Sequence, residues 1–173
     1  GVTHDDRGRH DEDHGRWRRT AAARLDGADA VVAWEGVASA VYRFENIDES
    51  LDLVPLAGRR ALDRAQTKLG LEGWRRLPLA TRAAIVSAGA AEVVETTGVL
   101  ELLAGAETSA ADARPEPPAD VVPASVADAL DAPLPVARWA GLRARARWAL
   151  ESLGARARMR RRDAIGQRRT AIR

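Results

Sequence analysis

Apolar residues recur at helical spacing in several short stretches of the chain, separated by glycine and proline. A first helix is predicted over residues 56–69, where leucines form one stripe with arginines opposite, and Gly70 is placed to end it. Further short helices are predicted over residues 71–77, 79–87, 91–103, 123–130, 134–142 and 142–153. Gly89 and Gly154 end two of these predicted helices, because glycine is common just past a helix terminus.

Other parts of the chain lack this periodicity. Residues 1–40 open with charged residues, glycine and histidine that offer nothing to bury, so they are predicted to be a disordered or non-native extension. Residues 107–123 hold four prolines and have the composition of a linker. Residues 155–173 form an arginine-rich tail. The predicted helical domain is therefore residues 41–154, which opens on a short extended stretch at 41–45.

The composition also favours helices. Alanine and leucine dominate the hydrophobic residues, while aromatic residues make up only 4% of the chain. Strands prefer β-branched and aromatic side chains, so we predict an all-α fold, a small bundle of short helices. The expected core anchors are the large apolar side chains on the predicted stripes: Trp74, Trp139, Trp148, Leu62, Leu69 and Leu150.

No recognisable catalytic or cofactor site is present in the sequence. The absence of cysteine excludes disulfides, thiolate metal sites and cysteine nucleophiles. His10 and His14 have the four-residue spacing of a zinc-protease helix, but Asp11 follows the first histidine where that motif requires glutamate. Together with His4, these side chains are predicted to lie in a solvated tail. We therefore expect a protein that is not an enzyme and holds no metal and no cofactor.

The hydropathy pattern argues against a membrane protein. No apolar run approaches the roughly 18 residues that a spanning helix needs. The N-terminus also lacks the basic, apolar and small-residue order of a secretory signal. A cytoplasmic location without a membrane partner is the expectation.

Charge is divided between two blocks of the chain. Residues 91–137 hold nine acidic residues and one arginine, whereas residues 138–173 hold twelve arginines and two acidic residues. The candidate partner-binding residues lie in the basic block: Arg156, Arg158, Arg160, Arg161 and Arg162. Three interpretations remain open for them, namely binding of nucleic acid phosphates, docking on an acidic protein surface that includes the chain's own acidic block, or a solvated tail.

Several ordered motifs together resemble a known family. They are Phe44-Glu45, Ser50-Leu51-Asp52-Leu53-Val54-Pro55-Leu56, Lys68-Leu69-Gly70-Leu71-Glu72-Gly73-Trp74, Leu77-Pro78-Leu79-Ala80-Thr81-Arg82, Trp139-Ala140-Gly141-Leu142 and Arg147-Trp148-Ala149-Leu150. In this order they resemble the bacterial nitrate reductase-associated proteins. The resemblance implies a small, helical, cytoplasmic protein encoded beside nitrate assimilation genes. Members of that family often have cysteines where this chain has Gln66-Thr67 and Ser87-Ala88, so no thiol-dependent role is expected here.

These observations lead to two hypotheses. The first is a non-enzymatic accessory protein of nitrate assimilation, which acts by contact with a protein partner in the maturation or regulation of a reductase. The alternative is a nucleic-acid-associated protein that uses the C-terminal arginine-rich segment.

Overall fold

The computed structural model describes residues 34–170, with side chains through residue 162. Its helices are α1 (Leu56–Arg64), α2 (Leu71–Arg76), α3 (Leu79–Ala90), α4 (Thr96–Leu102), α5 (Ala124–Ala127), α6 (Val136–Ala140) and α7 (Ala144–Thr170). Two short strands, β1 (Thr67–Lys68) and β2 (Ser109–Ala110), pair antiparallel. The prediction of an all-α fold is therefore confirmed. The candidate histidines His4, His10 and His14 lie outside the described residues.

The centre of the fold is the contact between α1 and α3. Ala57 and Ala61 of α1 are fully buried there and face Gly89 of α3. A Cβ atom built on Gly89 would overlap the carbonyl oxygen of Ala57 and lie 3.2 Å from the Cβ of Ala61. The prediction that Gly89 ends its helix is wrong, because α3 continues through it to Ala90. Glycine is needed at this position for the close approach of two helix backbones.

A buried arginine ties the end of α3 to α1. The Arg60 side chain is fully buried, and its guanidinium donates to the carbonyl oxygens of Gly89 (2.8 Å), Ala91 (2.6 Å) and Glu92 (3.0 Å). The last carbonyls of a helix have no partner within it, and they carry the negative end of its dipole. Arg60 satisfies the Gly89 carbonyl in the last turn of α3 and the two carbonyls that directly follow the helix, and its Nε also donates to Glu116 Oε1 at 2.7 Å.

The proline-rich segment 107–123, which the sequence predicted to be a linker, packs against the helices. It contributes β2 to the strand pair and Glu116 to the ion pair with Arg60. Pro117 is buried, and the carbonyl oxygen of Pro118 accepts a 2.7 Å hydrogen bond from Trp139 Nε1. Prolines suit such an extended segment because they fix φ and need no donor partner for their own nitrogen.

The first predicted helix ends earlier than its leucine stripe suggested. It stops at Arg64, and Gln66 adopts a left-handed conformation with φ of 52°. The next residues then pair with β2, and the amide of Ala111 donates to the carbonyl oxygen of Gln66 at 2.8 Å. The strand pairing therefore replaces the last predicted turn of helix, and Leu69 is only half-buried.

The predicted extended stretch at 41–45 is instead a 3₁₀ turn, Arg43–Glu45. The Glu45 carboxylate explains the difference, because it accepts hydrogen bonds from the amides of Tyr42 (2.8 Å) and Leu56 (2.6 Å). Leu56 is the first residue of α1, so the carboxylate accepts a hydrogen bond from an amide that has no partner within the helix, at the positive end of the helix dipole. The turn is thereby fixed against the N-terminus of α1.

The core extends further toward the N-terminus than the predicted boundary at residue 41. Val37 and Ala40 belong to the main buried cluster. That cluster also includes Leu62 and Trp74, whose indole nitrogen donates to the carbonyl oxygen of Leu51 at 2.6 Å. A smaller cluster gathers Leu56, Trp148 and Ala149 where α7 crosses α1. Of the remaining expected anchors, Trp139 is buried and Leu150 is half-buried.

The long helix α7 passes through Gly154, where the sequence predicted an end. A Cβ atom at Gly154 would collide with the carbonyl oxygen of Ser125 and lie 2.8 Å from its carbonyl carbon. Glycine thus allows α5 to rest on the backbone of α7, and it does not end the helix. As a result, residues 155–170 continue the same helix as residues 144–154.

Candidate functional site

The five candidate arginines all lie on α7, and they serve different purposes. Arg158 forms a salt bridge with Asp128 at 3.3 Å, and Arg161 donates to the carbonyl oxygen of Asp128 at 3.2 Å. Asp128 directly follows α5, so Arg158 balances its carboxylate and Arg161 satisfies its carbonyl oxygen at the C-terminal end of that helix. Part of the basic block therefore pairs with the chain's own acidic block. Arg160 and Arg162 are exposed on α7.

Arg156 belongs to a groove between α1, β1 and α7, which we call the basic groove. Its volume is about 490 Å³. Its charged lining residues are Arg59, Asp63, Lys68, Arg114 and Arg156. Its uncharged lining residues are Leu53, Val54, Leu62, Thr67, Leu69, Leu71 and Trp148. The groove lining thus combines four cations and one carboxylate with largely apolar side chains.

Distant segments of the chain supply the four cations. Arg59 comes from α1, Lys68 from β1, Arg114 from the proline-rich segment and Arg156 from α7. The strand pair and the Arg60–Glu116 ion pair hold the proline-rich segment against α1. The fold, and not any local sequence motif, therefore creates the concentration of positive charge.

Arg114 is the most firmly held of these cations. Its guanidinium donates to Asp63 and to Glu151, each at 3.4 Å, and it lies over the Trp148 ring at 5.0 Å from the ring centroid. Carboxylates on two helices and an aromatic face thus fix its position. Arg114 therefore forms a rigid part of the groove wall, and its charge is already balanced.

The other three cations lack such partners. No carboxylate of the described side chains lies within 4.0 Å of Arg59, Lys68 or Arg156. Partial burial, and then the positive charges of Arg59, Arg114 and Arg160, hold the pKa of the Arg156 guanidinium below its usual value. Like charges crowd together here at an electrostatic cost that a bound anion would relieve.

The groove is also apolar along its rim. Leu53 and Leu71, which line the groove, are 47% and 41% exposed. Trp148, another lining residue, is buried, and no described group accepts a hydrogen bond from its indole nitrogen. This arrangement can bind a ligand that combines negative charge with apolar groups.

A second cavity, of about 360 Å³, lies between α5 and α7. Its charged lining residues are Asp128, Arg158 and Arg161, and both arginines are already bonded to Asp128. This cavity therefore offers less free charge than the basic groove.

Within residues 34–170, no cluster of three or more His, Asp or Glu side chains is arranged to hold a metal ion. None of the helices in that range has the length and apolarity of a membrane span.

Sequence reasoning identified only Arg156 among the four groove cations. Arg59, Lys68 and Arg114 were missed because they lie in three different segments, away from the arginine-rich block. No charge run or spacing along the chain marks them as a set. Only the packing of the proline-rich segment and α7 against α1 brings them together.

Comparison with known proteins gives one match. A family model described as conserved nitrate reductase-associated protein matches residues 41–163. The matched range includes every lining residue of the basic groove. The comparison with curated proteins and the comparison with solved structures each gave no match.

Proposed function

Since the chain belongs to the conserved nitrate reductase-associated protein family, we propose that it is a non-enzymatic accessory protein of nitrate assimilation that binds a protein partner through the basic groove. The family name links the chain to nitrate reductase. The proposed role is to assist the maturation or regulation of a reductase by surface contact.

One observation supports this proposal most strongly. Arg59, Lys68 and Arg156 are cations without carboxylate partners among the described side chains, and they line a groove whose rim exposes Leu53 and Leu71. These apolar side chains would lose exposed surface to a partner, and the cations would meet complementary charge on it. The buried charge of Arg60, by contrast, is fully used in joining α1, α3 and the proline-rich segment.

The alternative of nucleic acid binding has weaker support. Arg158 and Arg161 are engaged with Asp128, which leaves Arg156, Arg160 and Arg162 from the candidate set for phosphate contacts. A titration with duplex DNA at several salt concentrations tests this alternative. Tight binding with a steep salt dependence would favour it over the protein-contact proposal.

Co-purification from nitrate-grown cells of the source organism tests the proposal. We expect the tagged chain to enrich a nitrate reductase or another nitrate-assimilation protein. The double variant Arg59→Glu/Arg156→Glu should recover about tenfold less of that partner, because loss of two favourable charge contacts costs roughly 1.4 kcal/mol or more. The matched control is Arg138→Glu/Arg143→Glu, which makes the same charge change at two exposed arginines outside the groove. Equal recovery with both double variants, or no nitrate-assimilation protein with the native chain, would contradict the proposal.

A further inference from the structure

We infer that the basic groove recognises a short acidic segment of its partner, in which carboxylates alternate with leucine-sized apolar side chains. This inference rests on the proposed function for the identity of the partner, and it adds the chemistry by which the partner is recognised. The charge, the apolar rim and the size of the groove all favour such a segment.

Charge selects an anion with separate negative groups. Arg59, Lys68 and Arg156 come from three different elements, and one of the Arg59 donors, Nε, is already bonded to the carbonyl oxygen of Val54 at 3.2 Å. A single small oxyanion is best held by donors that converge on it. Three cations supplied by three different elements of the groove wall can instead each meet a separate carboxylate of one chain.

The apolar residues select against a purely ionic ligand. Leu53 and Leu71 at the rim would lose exposed surface when an apolar side chain packs against them, and each buried CH₂ group contributes about 0.8 kcal/mol. Leu62 is almost completely buried beneath this rim. Side chains of leucine size on the ligand would therefore add affinity that carboxylates alone do not supply.

The size of the groove agrees with a peptide segment. A volume of about 490 Å³ accommodates several side chains and far exceeds the requirement of one nitrate or phosphate ion. Arg114 is locked by Asp63, Glu151 and the Trp148 ring, so part of the wall is already ordered before a ligand arrives. Such preorganisation lowers the entropy cost of binding.

Fluorescence anisotropy with a defined probe tests the inference on the full chain. The probe is a fluorescein-labelled peptide in which glutamates are interspersed with leucines. We expect it to bind the native chain, and we expect replacement of its glutamates by glutamine, or of its leucines by serine, to weaken binding by about tenfold each. Added salt should weaken binding because the cations lie near the surface.

Variants of the chain assign this binding to the groove. Arg59→Glu/Arg156→Glu should weaken binding of the glutamate–leucine peptide by about tenfold or more, while Arg138→Glu/Arg143→Glu should change it by about twofold or less. Lys68→Glu, at an exposed side chain, serves in place of the groove double variant if circular dichroism shows that the double variant is unfolded. Equal weakening by groove and control variants would overturn the inference.

Other outcomes overturn it in distinct ways. Undiminished binding of the serine-substituted peptide would show that the groove is a general anion site. Displacement of the peptide by inorganic phosphate or nitrate at the peptide's own concentration would point to a small-anion site, and displacement by duplex DNA would point to nucleic acid. Peptide binding without co-purification of a nitrate-assimilation protein would support the groove chemistry and refute the proposed function. The reverse pattern would refute the groove chemistry alone.

Discussion

Replacement of Gly89 with alanine is expected to lower the free energy of unfolding by about 3 kcal/mol, the cost of overpacking a tight core contact. In a solvated helix the same change would be stabilising by up to about 1 kcal/mol, because alanine is the better helix former. Here the added Cβ atom overlaps the carbonyl oxygen of Ala57. This neighbour is backbone and cannot rotate away, so α1 and α3 must separate and open the main core.

Thermal unfolding followed by circular dichroism measures this effect. The midpoint temperature of Gly89→Ala should fall by roughly 10 °C. The matched control is Gly98→Ala on α4, where no atom lies within 4 Å of the position that a Cβ would take, so its midpoint should be unchanged or raised. Equal behaviour of the two variants would contradict the close packing of α1 against α3.

Loss of the buried guanidinium is expected to be at least as damaging. Arg60→Met should lower the free energy of unfolding by about 3 kcal/mol, because it leaves Glu116 in a partly buried ion pair without its counter-charge. It also removes the donors for the carbonyl oxygens of Gly89, Ala91 and Glu92. Glu116 would lose its 2.7 Å partner, which removes one of the contacts that hold the proline-rich segment against α1.

A double-mutant cycle in urea separates the contribution of the ion pair. Arg60→Met/Glu116→Gln should cost less than the sum of the two single changes, since the second change removes the orphaned carboxylate. Arg76→Met is the control, because its pair with Glu107 is largely exposed and should contribute less than about 1 kcal/mol. Strict additivity in the cycle would contradict a direct Arg60–Glu116 interaction.

The fold class could be predicted from the sequence because apolar spacing and composition agree. Alanine and leucine at helical intervals favour helices locally, and tryptophans on the same stripes favour burial globally. Trp74, Trp139 and Trp148 are indeed buried. The family resemblance is also confirmed, by a match over residues 41–163.

The helix ends could not be predicted with the same success. Glycine ends helices in many proteins, yet Gly89 and Gly154 lie within helices where another backbone passes too closely for any side chain. The two roles of glycine look identical along the sequence. Only the partner, Ala57 in one case and Ser125 in the other, distinguishes close packing from a helix end.

The candidate site was only partly predictable for a related reason. The basic block on α7 is evident from composition, but the structure uses Arg158 and Arg161 to bind Asp128. The groove combines Arg156 of this block with Arg59 and Lys68, which lie in segments of mixed character. Long-range packing determines which charged side chains lie close together, and this cannot be deduced from a run of charges along the chain.

Site-specific photo-crosslinking in nitrate-grown cells tests most directly whether the chain acts through the basic groove. A photoreactive amino acid replaces Leu71 at the groove rim in one variant and Val93, 71% exposed and outside the groove lining, in another. We predict that the Leu71 position crosslinks to a nitrate-assimilation protein, at contacts rich in aspartate or glutamate, and that the Val93 position does not. Crosslinks from Val93 with none from Leu71 would contradict the account.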